Sequence, residues 1–264
     1  MKFYAAAVDH GDAYVLITPS EEVVVFDTGH PSRANVVINL LKKIGVDKID
    51  YMFLSHSHWD HIGGAPYIMD VYPVDKIYIN GEGYPYGTYE KMAKYFGEDA
   101  DNVHLVSLGD EIDLSGGVRV RILNPKEKLS GTNDNDEEVN NNALVAKISW
   151  EDAVVLLPSD IYSDTMKNIM ENEDIVAKVL SLPHHGMNGM TGAEREFFAE
   201  VHPMVAIKAS NYDELKNSTS QELLHELGVL GSTLFATAEY GTLLVEFDGK
   251  GSMEVSSGNI VWRE

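Results

Sequence analysis

Residues 55–61 read Ser-His-Ser-His-Trp-Asp-His, which sets His56, His58, Asp60 and His61 within six consecutive positions. Imidazole and carboxylate are the side chains that hold borderline metals such as zinc, manganese or iron. No folding rule asks for this density. His56 and His58 point the same way if the segment begins extended, because side chains alternate faces along an extended chain. Asp60 and His61 then reach a neighbouring point. The pattern predicts two adjacent metal positions served by one segment.

The elements around this cluster must position it. Tyr51-Met52-Phe53-Leu54 is a short apolar run of the kind a buried parallel strand shows. Gly63-Gly64 follows, which permits a sharp turn and a close backbone approach, and Ala65 to Met69 reads as a helix start. Chemistry at the carboxyl end of a buried strand is the rule for open α/β sheets. Two further runs repeat the pattern. Val154 to Leu157 leads to Asp160, and Leu180 to Leu182 leads to Pro183-His184-His185-Gly186. Three strand ends carrying His or Asp can converge on one edge of a sandwich. A carboxylate has two oxygens, so Asp160 can bridge two metals. One of His184 and His185 can complete the second position, while the other holds a substrate oxygen or supports a ligand.

The rest of the chain supplies layers. Phe3 to Val8, Ala13 to Thr18 and Glu22 to Asp27 read as a strand meander, and Arg33 to Ile44 carries an apolar helical face closed by Gly45. A similar half begins near Asn142, with a hairpin over 144–157, strands at 176–182, 204–209, 233–236 and 242–247, and helices at 165–170, 193–199 and 220–227. Strand runs with strand-helix-strand units in both halves, about 1–125 and 142–264, predict one α/β domain of two facing sheets with helices outside. Two inserts stand apart. Residues 81–96 hold Tyr84, Tyr86, Tyr89 and Tyr95, and 125–142 is polar and acidic and reads as a solvated mobile loop.

Composition sets limits. The chain has 264 residues and no cysteine, so disulfides and thiolate metal sites are excluded. A formal charge of -22 repels nucleic acid and anionic membranes at long range. No apolar stretch approaches the roughly 18 residues of a membrane span. The N-terminus lacks the apolar region of a signal peptide, so the chain as written reads as cytoplasmic, with secretion open if a leader was removed.

His56-x-His58-x-Asp60-His61 resembles the His-x-His-x-Asp-His motif of the metallo-β-lactamase superfamily. Val25 to Gly29, Gly11-Asp12-Ala13, Asn140 to Val145, Ser159-Asp160, Pro183 to Gly186 and Tyr240-Gly241-Thr242 extend the match. That set resembles one branch, the hydrolase domain of competence DNA-uptake proteins and the phosphorylcholine esterases of teichoic acid. The resemblance implies a four-layer αβ/βα sandwich and a hydrolase with two divalent ions, zinc first, manganese or iron as alternatives. It implies that His56 and His58 hold one ion, that Asp60, His61 and one of the 184/185 pair hold the other, and that Asp160 bridges. Asp60 and His185 then carry catalytic roles. Trp59, Asn142, Tyr84 and Tyr86 are expected to contact substrate, aromatic faces being suited to a cationic group. The expected substrate is a small-molecule or cell-envelope phosphoester. A nuclease, a lactonase or thioesterase, and a metal-binding module without turnover are the alternatives. The pattern departs from the superfamily at two places. The one histidine between His61 and Asp160 is His104, in no matching context, and Lys216 to Ser220 stands where the branch shows Gly-His-Pro-Ser.

Overall fold

The computed structural model describes residues 1–83, 85, 88–93, 95, 100–187, 190–258 and 260–263. The first sheet takes β1 (Lys2–Ala5), β2 (Tyr14–Ile17), β3 (Val23–Phe26), β4 (Ile49–Leu54), β5 (Val74–Ile79) and β6 (Val103–Leu105). The second takes β7 (Glu111–Asp113), β8 (Arg119–Asn124), β9 (Val145–Trp150), β10 (Ala153–Leu157), β11 (Val179–Ser181), β12 (Val205–Lys208) and β13 (Thr233–Ala236). The chain then returns to the first sheet through β14 (Leu243–Phe247), β15 (Met253–Ser257) and β16 (Ile260–Arg263). Strand orders are 16-15-14-1-2-3-4-5-6 and 13-12-11-10-9-8-7.

Both sheets are mixed, and the parallel parts matter for chemistry. Strands β3 to β6 run parallel, as do β10 to β13, while the flanking strands are antiparallel meanders. The parallel strands are apolar on both faces, as Val23-Val24-Val25-Phe26 shows, because each is covered by the facing sheet and by helices. Helices are α1 (Ala34–Lys43), α2 (Trp59–Ile62), α3 (Ala65–Met69), α4 (Thr88–Ala93), α5 (Asp136–Asn141), α6 (Ser163–Asn172), α7 (Gly192–Val201), α8 (Tyr212–Ser218), α9 (Gln221–Leu230) and α10 (Thr237–Tyr240).

Three apolar clusters define four layers. The central one joins the two sheets through Phe3, Phe26, Phe53, Val120, Ile148, Val155 and Ile207. Phe26, Phe53 and Tyr78 stack across β3, β4 and β5 with ring centres 4.8 and 4.7 Å apart. A second cluster packs α1 and α3 on the outer face of the first sheet, with Val37, Leu40 and Leu41 at helical spacing. A third packs α6, α7 and α9 on the second sheet through Met166, Ile169, Phe197, Leu223 and Leu227. The architecture is the expected αβ/βα sandwich. Among the described residues no helix is long and apolar enough to cross a membrane.

The solvated loop expected over 125–142 needs correction. Its C-terminal part is α5, capped by the Asn135 side chain, which accepts from the backbone N–H groups of Glu137 and Glu138. Val139 and Asn140 on its inner face are buried. Asn-x-x-Glu is a helix start, and the acidic first turn suits the positive end of the helix dipole.

Candidate metal centre

The carboxyl end of β4 delivers the first group of side chains. The backbone stays extended to His58 (φ -68°, ψ 149°), so the rings of His56 and His58 fall on one side, with His56 Nε2 3.0 Å from His58 Nδ1. The single turn of α2 then carries Asp60 and His61 inward, and both are buried. The His61 carbonyl is held in turn by Thr28, whose N–H and Oγ1 both donate to it at 2.7 and 2.8 Å. Gly64 lets this crossing happen, since a Cβ there would lie 2.3 Å from the Thr28 carbonyl oxygen.

The ends of β10 and β11 deliver the second group. Ser159 (φ 54°), His184 (φ 47°) and His185 (φ 52°) all adopt left-handed backbone, as does Asp27 (φ 52°) at the end of β3. Such residues cost on the order of 1–3 kcal/mol each and persist where packing over-determines them. Here the His184 N–H donates to the Ser159 carbonyl at 3.0 Å, tying the two strand ends. The fully buried Lys208 donates from Nζ to the His185 carbonyl.

Asp160 lies at the meeting point, and its two oxygens divide the imidazoles. Oδ1 faces His61 Nε2 at 3.3 Å and His185 Nε2 at 3.6 Å. Oδ2 faces His56 Nε2 at 4.0 Å and His184 Nε2 at 3.8 Å. Asp60 Oδ2 stands 3.5 Å from His185 Nε2 and 3.9 Å from His61 Nε2. His61 Nε2, His185 Nε2 and Asp160 Oδ1 are buried atoms that make no hydrogen bond of good geometry. Buried polar atoms are nearly always satisfied, so three that converge mark a place for a cation. Asp12, His61, Asp160 and His185 each offer a donor atom within 4.8 Å of the others.

Carboxylates behind the imidazoles fix the ring orientations. His61 turns Nδ1 to Asp27 Oδ2 at 2.8 Å, and Asp27 also accepts from Ser55 N–H and Ser55 Oγ. His185 turns Nδ1 to Asp12 Oδ1 at 3.3 Å, and Tyr14 donates its hydroxyl to that same oxygen at 2.9 Å. Both rings thus aim Nε2 at the centre, the arrangement that orients metal-ligating histidines.

The electrostatics follow from burial and proximity. Burial alone would push His61 and His185 below the usual imidazole value. The charges of Asp160 and Asp27 overturn this at His61, holding it well above, and those of Asp160 and Asp12 raise His185 to about 10. Burial pushes Asp60 and Asp160 up, but His10 and His185 hold Asp60 well below the carboxylate range, and His61 and His185 do the same for Asp160. Burial, then His61, drives His56 well below its ordinary value. Four buried carboxyl groups (Asp12, Asp27, Asp60, Asp160) therefore gather around these imidazoles. Carboxylate and imidazole donors packed together out of water fit divalent cations.

All seven side chains expected as ligands come together here. His185 lies deeper than His184, at 1% against 22% side-chain exposure. His184 packs its ring edge-on against Tyr162. Trp59 is 54% exposed and packs edge-on against His30. Asn142 directs its side-chain amide to Glu82 at 3.0 and 3.2 Å. Its neighbour Asn140 faces Tyr162 instead, donating to the phenol oxygen at 3.1 Å, with Oδ1 buried and without a hydrogen bond. Tyr84 and Tyr86 lie outside the described residues. His104, in β6, lies against the ring of Tyr78 in β5, with centres 5.2 Å apart. Sequence reasoning gave no role to Asp12 or Asp27, although Asp27 follows directly on β3, Asp12 stands in the loop before β2, and both lie within motifs that carry the resemblance. It passed over His10 altogether.

Residues 7–139 match the family described as the metallo-beta-lactamase superfamily. ComE operon protein 3 of Bacillus subtilis (strain 168) is 23% identical over 216 residues, covering 81% of this chain and 27% of that protein. Competence protein ComA of Neisseria gonorrhoeae is 25% identical over 232 residues, covering 87% and 30%. The chain thus spans less than a third of the length of these relatives. The metallo-beta-lactamase fold protein YhfI of Bacillus subtilis shares the fold at a TM-score of 0.55 and 13% identity, over 99% of both chains.

Proposed function

Because the chain belongs to the metallo-beta-lactamase superfamily, we propose that it is a binuclear metal-dependent hydrolase acting on a small phosphoester. The observation that carries this reading is the division of the Asp160 oxygens between two sets of imidazoles. His56, His58 and His184 with Oδ2 form a first position. Asp60, His61 and His185 with Oδ1 form a second. Divalent cations held there supply Lewis acidity and lower the pKa of a bound water toward about 7.

The chain's own groups do the rest. Asp27 and Asp12 hold His61 and His185 with Nε2 toward the centre. Asp60, kept far below the usual carboxylate range, stays an acceptor and orients the attacking water. His184, partly exposed, holds its ring edge-on to Tyr162, and Trp59, exposed beside Asp60 in α2, holds its ring edge-on to His30. These faces and the two positions suit a phosphoryl group whose oxygens gain charge in the transition state.

The phosphoester assignment is supported by Gly11-Asp12-Ala13, Asn140 to Val145, Ser159-Asp160, Pro183 to Gly186 and Tyr240-Gly241-Thr242, a set that resembles a phosphoester-cleaving branch. A polyanionic nucleic acid is disfavoured by the net charge of -22 and by Asp136, whose carboxylate stands 3.6 Å from His58 Nε2. Zinc, manganese or iron suit the donor set equally. The test is turnover of bis-p-nitrophenyl phosphate, p-nitrophenyl phosphorylcholine, single-stranded DNA, a lactone and a thioester, by wild type and by Asp60→Asn, each with verified metal content. Phosphodiester turnover lost in Asp60→Asn is expected. Turnover confined to the lactone or thioester would overturn the substrate class. Unchanged turnover in Asp60→Asn would overturn the site.

A further inference from the structure

The loop between β1 and β2 is bent onto the site by two left-handed residues, Asp9 (φ 66°) and Gly11 (φ 97°). It carries His10 and Asp12 to the same centre from opposite sides of Gly11. Asp12 stands behind His185, while His10 stands in front of Asp60, its Nε2 3.0 Å from Asp60 Oδ2. The His10 and His185 rings lie 5.2 Å apart, centre to centre. The contact is built into the backbone: a Cβ on Gly11 would fall 1.9 Å from the Asp60 carbonyl oxygen. The loop is also pinned at its outer end, where Asp9 pairs with Arg33.

His10, Asp60 and His185 each offer a donor atom within 4.8 Å of the other two. Asp60 Oδ2 lies between the two imidazoles, 3.0 Å from one and 3.5 Å from the other. We infer that His10 is a further protein ligand of the second cation position. This inference rests on the hydrolase reading above and deepens it. With His10 the second position draws on Asp60, His61, Asp160, His185 and a fifth protein donor. The first draws on His56, His58, His184 and one oxygen of Asp160. The two positions then differ in coordination number, and the second fills first.

Tag-free wild type, His10→Gln and His10→Ala are stripped of metal and titrated with cobalt(II), followed by calorimetry and by visible d–d absorption. The chain has no cysteine, so no thiolate band overlaps that region. Glutamine keeps a hydrogen-bond donor for Asp60 but removes the imidazole. Both variants should lose at least about tenfold in the tighter binding step, the lower end of what loss of a supporting group costs. Both should also shift the first-filled cobalt spectrum toward lower coordination. A His10→Gln protein with wild-type affinity and spectrum would overturn the inference, because His10 would then only hold Asp60. Wild type that takes up no cobalt would overturn the hydrolase reading as well, so the two failures are distinct.

Discussion

Replacing Gly11 by alanine tests how the β1–β2 loop serves the centre. The new Cβ would lie 1.9 Å from the Asp60 carbonyl oxygen, where ordinary contact begins at 3.4 Å. Loop and α2 must part by about 1.5 Å, in keeping with close packing that leaves no slack. A gap of that size takes His10 Nε2 from 3.0 Å beyond hydrogen-bond reach of Asp60 and loosens the 3.3 Å approach of Asp12 to His185. Overpacking of this kind costs about 1–3 kcal/mol. A left-handed alanine adds about 1–2 kcal/mol. The sum, about 2–5 kcal/mol, lowers the melting temperature by roughly 4–10 °C for a chain of this size. Displacing the groups that orient the ligands should weaken cation binding by about 10–100-fold. Gly45→Ala is the control, since Gly45 has a similar φ of 78° with nothing within 4 Å of its Cβ. Scanning calorimetry and metal titration on both variants separate backbone strain from steric displacement. A Gly11→Ala protein that melts with Gly45→Ala and binds metal like wild type would refute the tight placement of this loop.

Further outcomes follow from the carboxylates behind the imidazoles and from the charges. Asp27→Asn turns an amide toward Ser55 or His61 where the carboxylate accepted from both, so cation affinity should fall about 10–100-fold by calorimetry. An unaltered affinity would deny Asp27 its orienting role. In metal-free protein, His61 and His185 are held above their ordinary values, His185 to about 10. Binding must displace those protons, so affinity should climb with pH up to that value, with proton release seen as a buffer-dependent binding enthalpy. Stability of the metal-free protein has a defined sign. The raised His185 contributes fully below its ordinary 6.5 and loses that contribution as pH rises toward 10. The lowered Asp60 and Asp160 contribute above 3.8 and lose it as pH falls. Both contributions coexist between 3.8 and 6.5, but the lowered His56 loses stability as pH falls below 6.5, so melts in chelator should peak near the upper edge of that window. A maximum at alkaline pH would contradict the charge assignment.

Much of this centre is legible in the order of the residues, for a physical reason. His56, His58, Asp60 and His61 violate the usual scatter of polar residues, and Asp160 and the 184/185 pair follow apolar runs long enough to read as buried strands. Strand ends on one edge of a sandwich have few places to go but together. The groups that are not legible act across the chain. Asp12 matters because Gly11 lets its loop touch Asp60, and that contact spans 49 positions with no local periodicity to announce it. The role of His10 depends on the same approach. The choice between His184 and His185 turns on two left-handed residues, which favour neither ring in the sequence. Likewise α5 reads as a solvated loop because its buried face is only Val139 and Asn140. The short edge strands β6 and β7, with β8 beside β7, and the C-terminal pair β15 and β16, alternate too briefly or too polarly to stand out.

The most direct measurement is anomalous diffraction from crystals grown with zinc or manganese, reading the number and place of the cations. Two peaks about 3.5–4 Å apart are predicted, one against His56 and His58, the other against Asp60, His61 and His185, with one oxygen of Asp160 on each. Metal elsewhere in the chain, or Asp160 and His185 turned away from the cations, would contradict a shared two-cation centre.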